Sequence, residues 1–379
     1  MQYLFFDFDK KPCTLRKDGF NIMETGSEII LRWLKLAVQE GVSDIFIGAG
    51  RPITFKKSGV LIAQDSETLR PHNSEELITA LYELAYRPME RFLVSGDDDF
   101  PVTVPGVARF RVNTFRQRSS MAAVIRVVLF NIPDYRDLKI PDEVMTLASE
   151  LNGLALVTGP AGSGKSTTLA CIIDAINKTR NAHVITLEDP IEFLHRDNVS
   201  LVSQREISTD TNSYMDALRA SLRQAPDIIL LGEMRDHETI KTAITAAETG
   251  HLVISTLHTI GAANTIDRIV DIFPPAQQQQ VRVQLSMVLR AVVSQQLIPT
   301  VDDSLVPAFE IMIVNSAIQN MIREGKVYQM DNVIFSGAAM GMRTMDGEIL
   351  RLYQSGRITR ANALLYATNP DIMMKKIDL

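Results

Sequence analysis

A chain of 379 residues exceeds one ordinary domain, so two or three are expected. A 46% hydrophobic fraction and a mean hydropathy of +0.04 fit a soluble globular protein, and no apolar run approaches the ~18–20 residues that span a bilayer. A net charge of −6 argues against nucleic acid as the bulk partner, because duplex binders carry a basic face.

The first nine residues are apolar but carry Asp7 and Asp9 and no basic lead, so they do not read as a signal peptide. Cys13 and Cys171 are far apart and outside any metal spacing, which points to a reducing compartment and no disulfide framework. A cytoplasmic protein is therefore expected. Residues 1–25 form an extension with no assigned role. From Glu28 to Gln39 apolar residues recur at helical spacing, and Gly41 stops the helix. Ser43–Gly48 and Val60–Ile62 read as strands, Ser74 to Tyr86 as a helix, and Met89–Leu93 as a short helix. Phe100–Val104, Arg109–Arg116 and Met121–Leu129 read as strands, so the first ~100 residues suggest an α+β domain. Ile132-Pro133-Asp134 and Ile140-Pro141-Asp142 punctuate a linker.

From Pro141 onward apolar strands alternate with helices: Leu154–Thr158, Val184–Leu187, Ile228–Leu231 and His251–Thr256. Near-continuous apolar strands with helical spacers indicate a parallel sheet covered on both faces. From about Pro274 the chain reads as helical, with Gln277–Gln295 as one long segment and shorter helices up to Leu379.

Between the Leu154–Thr158 strand and a helical run from Thr167 stands Gly159-Pro160-Ala161-Gly162-Ser163-Gly164-Lys165-Ser166, a G-x-x-x-x-G-K-S phosphate-binding loop. Three glycines let the backbone wrap with N–H groups aimed at phosphate oxygens, and the following helix adds its positive end. Lys165 is placed to reach the β- and γ-phosphates and Ser166 to ligate Mg²⁺. Two of the apolar strands run into acids: Glu188-Asp189 after Leu187, and Gly232-Glu233 after Leu231. Ligands of such sheets bind at that edge, and a nucleoside triphosphatase needs an acid there to orient the metal's water shell or the attacking water. Asp189 reads either as part of that set or as a cap. His251 and His258 bracket the fourth strand and read either as structural residues or as contacts to the γ-phosphate region. Arg109, Arg111, Arg116, Arg118 and Arg126 read as exposed strand residues, or as arginines reaching a nucleotide on a neighbouring subunit.

Three stretches carry a resemblance: Ile185–Phe193, Leu231–Asp236 and Gly250–Thr259 are similar to the secretion-ATPase superfamily. Pro105–Asn113 and Ala317–Lys326 resemble its type IV pilus retraction branch, and the likeness covers about residues 27–379. The resemblance implies an α/β architecture: a PAS-like N-terminal α+β domain, then a RecA-like P-loop ATPase domain with a helical C-terminal region. Its boundaries would be an extension at 1–26, the PAS-like domain at 27–132, a linker at 133–142, the ATPase core at 143–290 and the helical region at 291–379. It implies ATP and Mg²⁺ as ligands, with Gly159 through Thr167 holding the nucleotide and Ser166 the metal. Glu233 then polarises water, Glu188 belongs to an acidic box, and His251 and His258 form a histidine box. Arg111 and Arg126 match two arginines that contact ATP phosphates. The expected assembly is a homohexamer at the inner face of the cytoplasmic membrane, working on an inner-membrane pilus platform protein, alone or with a paralogous retraction ATPase. The expected work is pilus retraction and twitching motility; the alternative is a pilus assembly, type II or DotB-like type IV secretion ATPase. The four-cysteine zinc motif usual in assembly and type II enzymes is missing here. The chain departs from the family at Gln319, where Arg is usual, and at Phe46, where His is common.

Overall fold

The computed structural model describes residues 25–57, 59–64, 67–128, 132–302 and 304–378. The expectations for the N-terminal extension, including Cys13, lie outside the described residues. The chain divides into two units between Val128 and Leu129, each with its own sheet.

The first unit runs α1 (Gly26–Gln39), β1 (Asp44–Gly48), β2 (Thr54–Lys57), β3 (Val60–Ala63), α2 (Pro71–Leu84), α3 (Glu90–Ser95), β4 (Asp97–Val104), β5 (Ala108–Gln117) and β6 (Ser120–Val128). Thr25 starts α1 through a capping box with Glu28, which satisfies two otherwise orphan N–H groups. The six strands form an antiparallel sheet in the order β3-β2-β1-β6-β5-β4. Alternation along β5 buries Phe110 and Val112 and leaves Arg109 and Arg111 on the opposite face. On the buried face Trp33 of α1 meets Phe55 edge-on, and Tyr82 of α2 lies against Phe100. Tyr82 also bonds Thr114 at 2.8 Å, and Arg87 grips Asp98 with two bonds of 3.0 Å.

The second unit runs α4 (Asp142–Met145), β7 (Gly153–Thr158), α5 (Lys165–Thr179), β8 (His183–Glu188), β9 (Leu201–Glu206), α6 (Tyr214–Ser221), β10 (Ile228–Leu231), α7 (His237–Glu248), β11 (Leu252–Leu257), α8 (Ala262–Asp271), α9 (Pro275–Val288), β12 (Leu289–Pro299) and β13 (Leu305–Ile313). The shorter helices α10 (Ser316–Glu324), α11 (Met330–Ser336), α12 (Met345–Gln354), α13 (Arg360–Tyr366) and α14 (Pro370–Ile377) follow. The strand order is β13-β12-β7-β11-β10-β8-β9, parallel except for antiparallel β13. Both faces are covered. Leu154, Leu156, Leu187 and Leu231 pack with α7, α8 and α9 on one side; Ala155, Val157, Val184 and Leu230 pack with α4 and α5 on the other. That explains why these strands read as unbroken apolar runs rather than as alternating ones. Ile298 of β12 and Val306 of β13 form a third cluster with α12, α13 and α14.

The expected elements agree with the structure at most positions, and the differences have physical reasons. The helix expected over Gln277–Gln295 ends at Val288, and Leu289 begins a strand. β12 slots between β7 and β13, so its backbone groups find ladder partners on both sides and Val292 and Val293 are buried. The polar Gln295 is buried there only because its side-chain oxygen accepts from Thr168 Oγ1 at 2.7 Å. The first part of the expected helical region at 291–379 is therefore sheet. β2 and β9 also escape the sequence pattern, being half-buried or edge strands without a strong apolar run. Helix α2 begins at Pro71, which supplies a pre-set φ in the first turn. Among the described residues no helix is long and apolar enough to cross a membrane.

Candidate functional site

Register brings the ends of four strands to one edge of the second sheet. Leu257 pairs with Thr158, and Leu231 pairs with both Ser255 and Leu187. The residues that follow, Gly159, His258, Gly232-Glu233 and Glu188, therefore emerge side by side. They open on a cavity of about 320 Å³ lined by Ala161, Lys165, Ser166, Glu188, Glu233 and His258, among others.

The loop between β7 and α5 needs its glycines for specific reasons. Gly159 has φ 139°, and a Cβ there would strike the Gln295 carbonyl; Gly164 has φ 89° against the Gln295 amide. Gln295 thus braces the loop from β12 and holds Thr168 of α5. Lys165 is only 8% exposed, and its Nζ donates to the carbonyls of Gly159 and Pro160, at 2.9 Å each. Burial pulls its ammonium below the usual lysine range, and the Glu233 and Glu192 carboxylates oppose that. The loop is a ready anion site: a charged amine, a helix N-terminus and tightly curved backbone converge on one cavity wall.

The opposite wall is acidic. Glu233, with a side chain 12% exposed, lies 2.5 Å from Arg235 and 3.4 Å from His258 Nε2. Glu188 Oε1 accepts from Thr186 Oγ1 at 2.7 Å and from Gln204 Nε2 at 3.2 Å. Burial lifts the Glu188 carboxyl to about 7; those two bonds lower it and the nearby Glu192 adds to the rise. Gln204 of β9 has three contacts in this corner, since it also donates to the Phe193 carbonyl at 2.9 Å and accepts from His195 N at 2.8 Å. It ties the acidic strand end to the chain that follows. An acid beside a phosphate-binding loop can accept a proton from water or orient a metal's water shell.

The two histidines part company. His258 joins Glu233 at the cavity. His251 precedes β11 at the opposite edge of the sheet, where its Nδ1 meets the Ala246 carbonyl at 2.9 Å and Thr249 Oγ1 at 3.3 Å. The structure does not bring His251 to the site: a strand of six residues separates the two rings, and His251 ties down the C-terminal end of α7. Arg111 and Arg126 belong to the first unit, and there they are direct cross-strand partners on β5 and β6. Facing residues of adjacent strands share a sheet face, so both side chains rise from the same side of the sheet, each reaching to an acid on the strand beyond. Arg126 Nε donates to Asp44 at 2.9 Å and Arg111 Nε to Asp99 at 3.3 Å, with the Arg126 side chain 69% exposed.

Sequence reasoning missed Gln295, Gln204 and Tyr214 at this site. Gln295 carried a helical signal, Gln204 lies on a strand without a strong apolar run, and Tyr214 gave no signal beyond an aromatic opening a helix.

The fold and this edge define a mixed α/β protein with a phosphate-binding loop and a carboxylate-lined cavity. The family model described as "Type II/IV secretion system protein" matches residues 24–346. The chain is 43% identical over 346 residues to the "Type IV pilus retractation ATPase PilT" of Pseudomonas aeruginosa, covering 90% of this chain and 99% of that protein. It is 49% identical over 276 residues to the "Twitching motility protein" of Neisseria gonorrhoeae, covering 73% of this chain and 74% of that one. Among solved structures it is similar to the pilus retraction motor PilT with bound ADP, at 44% identity and TM-score 0.84 over 91% of this chain and 99% of that one. The chain belongs to the type II/IV secretion system protein family.

Proposed function

We propose that this chain is a hexameric, Mg²⁺-dependent ATPase motor that powers type IV pilus retraction and, through it, twitching motility. The observation that carries the reading is the meeting of Lys165 with Glu233 and Glu188 across one cavity at the sheet edge. The similarity to a pilus retraction ATPase over nearly its whole length supports the direction of work.

In this reading the loop from Gly159 to Thr167 holds the triphosphate and Lys165 neutralises the β- and γ-phosphates. Magnesium fits the residues present. Ser166 lines the cavity in the first turn of α5, and the hard oxygen of its hydroxyl suits that ion. Among the described residues no three His, Cys, Asp or Glu side chains converge on a metal site of their own, so the phosphate oxygens and Ser166 would hold it together. Bound there, it would neutralise charge on the transferring phosphoryl group. Glu233 accepts the proton of the attacking water, and His258 steadies Glu233 from the β11 side. Glu188 completes the acidic wall. Arg111 and Arg126 of a neighbouring copy reach the phosphates, for which a planar, permanently charged fork is suited. We assign a PAS-like domain to 27–132, a linker to 133–142, a RecA-like core to 143–290 and a C-terminal region to 291–379, the last including β12 and β13. The hexamer would sit at the inner face of the cytoplasmic membrane against a pilus platform protein, with a paralogous ATPase as a further partner.

Chromosomal replacement Lys165→Ala in the source organism tests the reading. Surplus surface pili with lost motility are expected. Bald cells would mean assembly, and intact pili with a secretion defect would move the chain to the secretion branch.

A further inference from the structure

The carboxylate wall poses a problem of hydrogen-bond supply. An attacking water is oriented by both donors and acceptors, but Glu188, Asp189 and Glu233 offer only acceptors when ionised. The nearby donors are mostly committed. Arg235 is held by Glu233 at 2.5 Å, Thr256 Oγ1 donates to the Gly232 carbonyl at 2.5 Å, and Lys165 donates to two loop carbonyls.

Tyr214 is different. It is the first residue of α6, whose N-cap Ser213 accepts from Asp216 N at 3.1 Å, and its ring packs partly buried against the apolar cluster under the sheet. Tyr214 lines the cavity, and among the described residues its hydroxyl has no hydrogen-bond partner. A Cβ on Gly232 would lie 2.8 Å from that hydroxyl and 3.1 Å from the Leu187 carbonyl. The phenol therefore sits where the ends of β8 and β10 meet, against the peptide that carries Glu233.

We propose that Tyr214 is a further catalytic residue, whose hydroxyl donates to the attacking water while Glu233 accepts that water's proton. The proposal rests on the ATPase reading above. Burial, with Glu233, Asp189 and Glu188 nearby, pushes the phenol well above the ordinary tyrosine range, so it stays a donor at any physiological pH. The step balances. The water oxygen bonds the γ-phosphorus, its proton passes to Glu233, and the bond to the β–γ bridging oxygen breaks with its electron pair leaving on ADP. Tyr214 keeps its proton throughout. A glycine at 232 follows from the same geometry, because any larger residue would displace the hydroxyl.

Tyr214→Phe in the full chain removes the hydroxyl and keeps the ring. Steady-state phosphate release should show kcat lowered about tenfold or more, with KM for ATP within about twofold. Binding of a non-hydrolysable ATP analogue and the melting temperature should match the parent. A hydrolysing parent with an equally fast Tyr214→Phe variant overturns the proposal and leaves the ATPase reading standing. A loss of kcat accompanied by lost analogue binding also overturns it, since the hydroxyl would then serve binding or folding. A parent that holds ATP without releasing phosphate overturns both readings.

Discussion

The two edges of the seven-stranded sheet are built from the same strands and hold opposite chemistry. At the N-terminal edge polar side chains are tied to nearby backbone. His183 Nδ1 meets the Gln224 carbonyl at 3.0 Å, and His251 meets that of Ala246 at 2.9 Å. Arg180 donates to the carbonyls of Ala148 and Glu150 at 3.2 and 2.7 Å, and Arg290 donates to Asn152. These bonds close turns and helix ends. At the C-terminal edge side chains face one another or the cavity: Glu233 with Arg235 and His258, and Glu188 with Thr186 and Gln204. The difference follows from chain direction. In a parallel sheet the helix N-termini gather at the strands' C-terminal edge, where unpaired N–H groups favour anions and the loops are free to carry side chains inward.

The sharpest way to break this comparison is Glu233→Gln. Charge and proton acceptance go while shape stays, so turnover should fall roughly 10²- to 10⁴-fold with ATP binding retained. Normal phosphate release by that variant would remove the proton-accepting role assigned to the acidic wall.

Glu188 tests the wall through stability. Its carboxyl rises from 4.5 to about 7 on folding, so the folded chain holds that proton more tightly than the unfolded one. Its contribution is full below the unfolded value and is lost as pH rises towards 7, beyond which a buried charge must be carried. Glu188→Gln should therefore stabilise the chain at pH 8, by about 1–3 kcal/mol, and hardly at all at pH 4. Melting curves of parent and variant at the two pH values check this; an equal gap at both would place the shift elsewhere.

The histidine pair gives the finest comparison. His258→Ala should lower kcat, on the order of tenfold, with little change in melting temperature. His251→Ala should leave kcat alone and cost about 1 kcal/mol, the worth of a lost hydrogen bond at the end of α7. Reversed results would mean that the strand's two ends had been assigned the wrong way round.

Much of this was legible in the sequence because its signals are local. The phosphate-binding loop is contiguous, and its glycines are required by positive φ at Gly159, Gly162 and Gly164. Strand-end acids announce themselves wherever an apolar run stops, as at Leu231 before Gly232-Glu233. The same rule misled at His251, because a residue flanking a strand gives no hint of which end faces the ligand until the loop's own strand is placed beside it. Gln277–Gln295 misled for a related reason. Its polar residues suit a helix surface, and the buried place of Gln295 depends on Thr168, 127 positions away.

By itself the sequence determined the alternating strand-and-helix order of the second unit, the anion-binding loop and the residue types that surround it. Those properties depend on periodicity, φ and side-chain chemistry within a few neighbouring residues. Only the tertiary structure decided strand order and register. It thereby set Glu188, Tyr214, Glu233 and His258 around one cavity, put Arg111 opposite Arg126, and sent His251 to the far edge. Register is fixed by burying whole faces of a sheet at once, a sum over distant residues that no single stretch encodes.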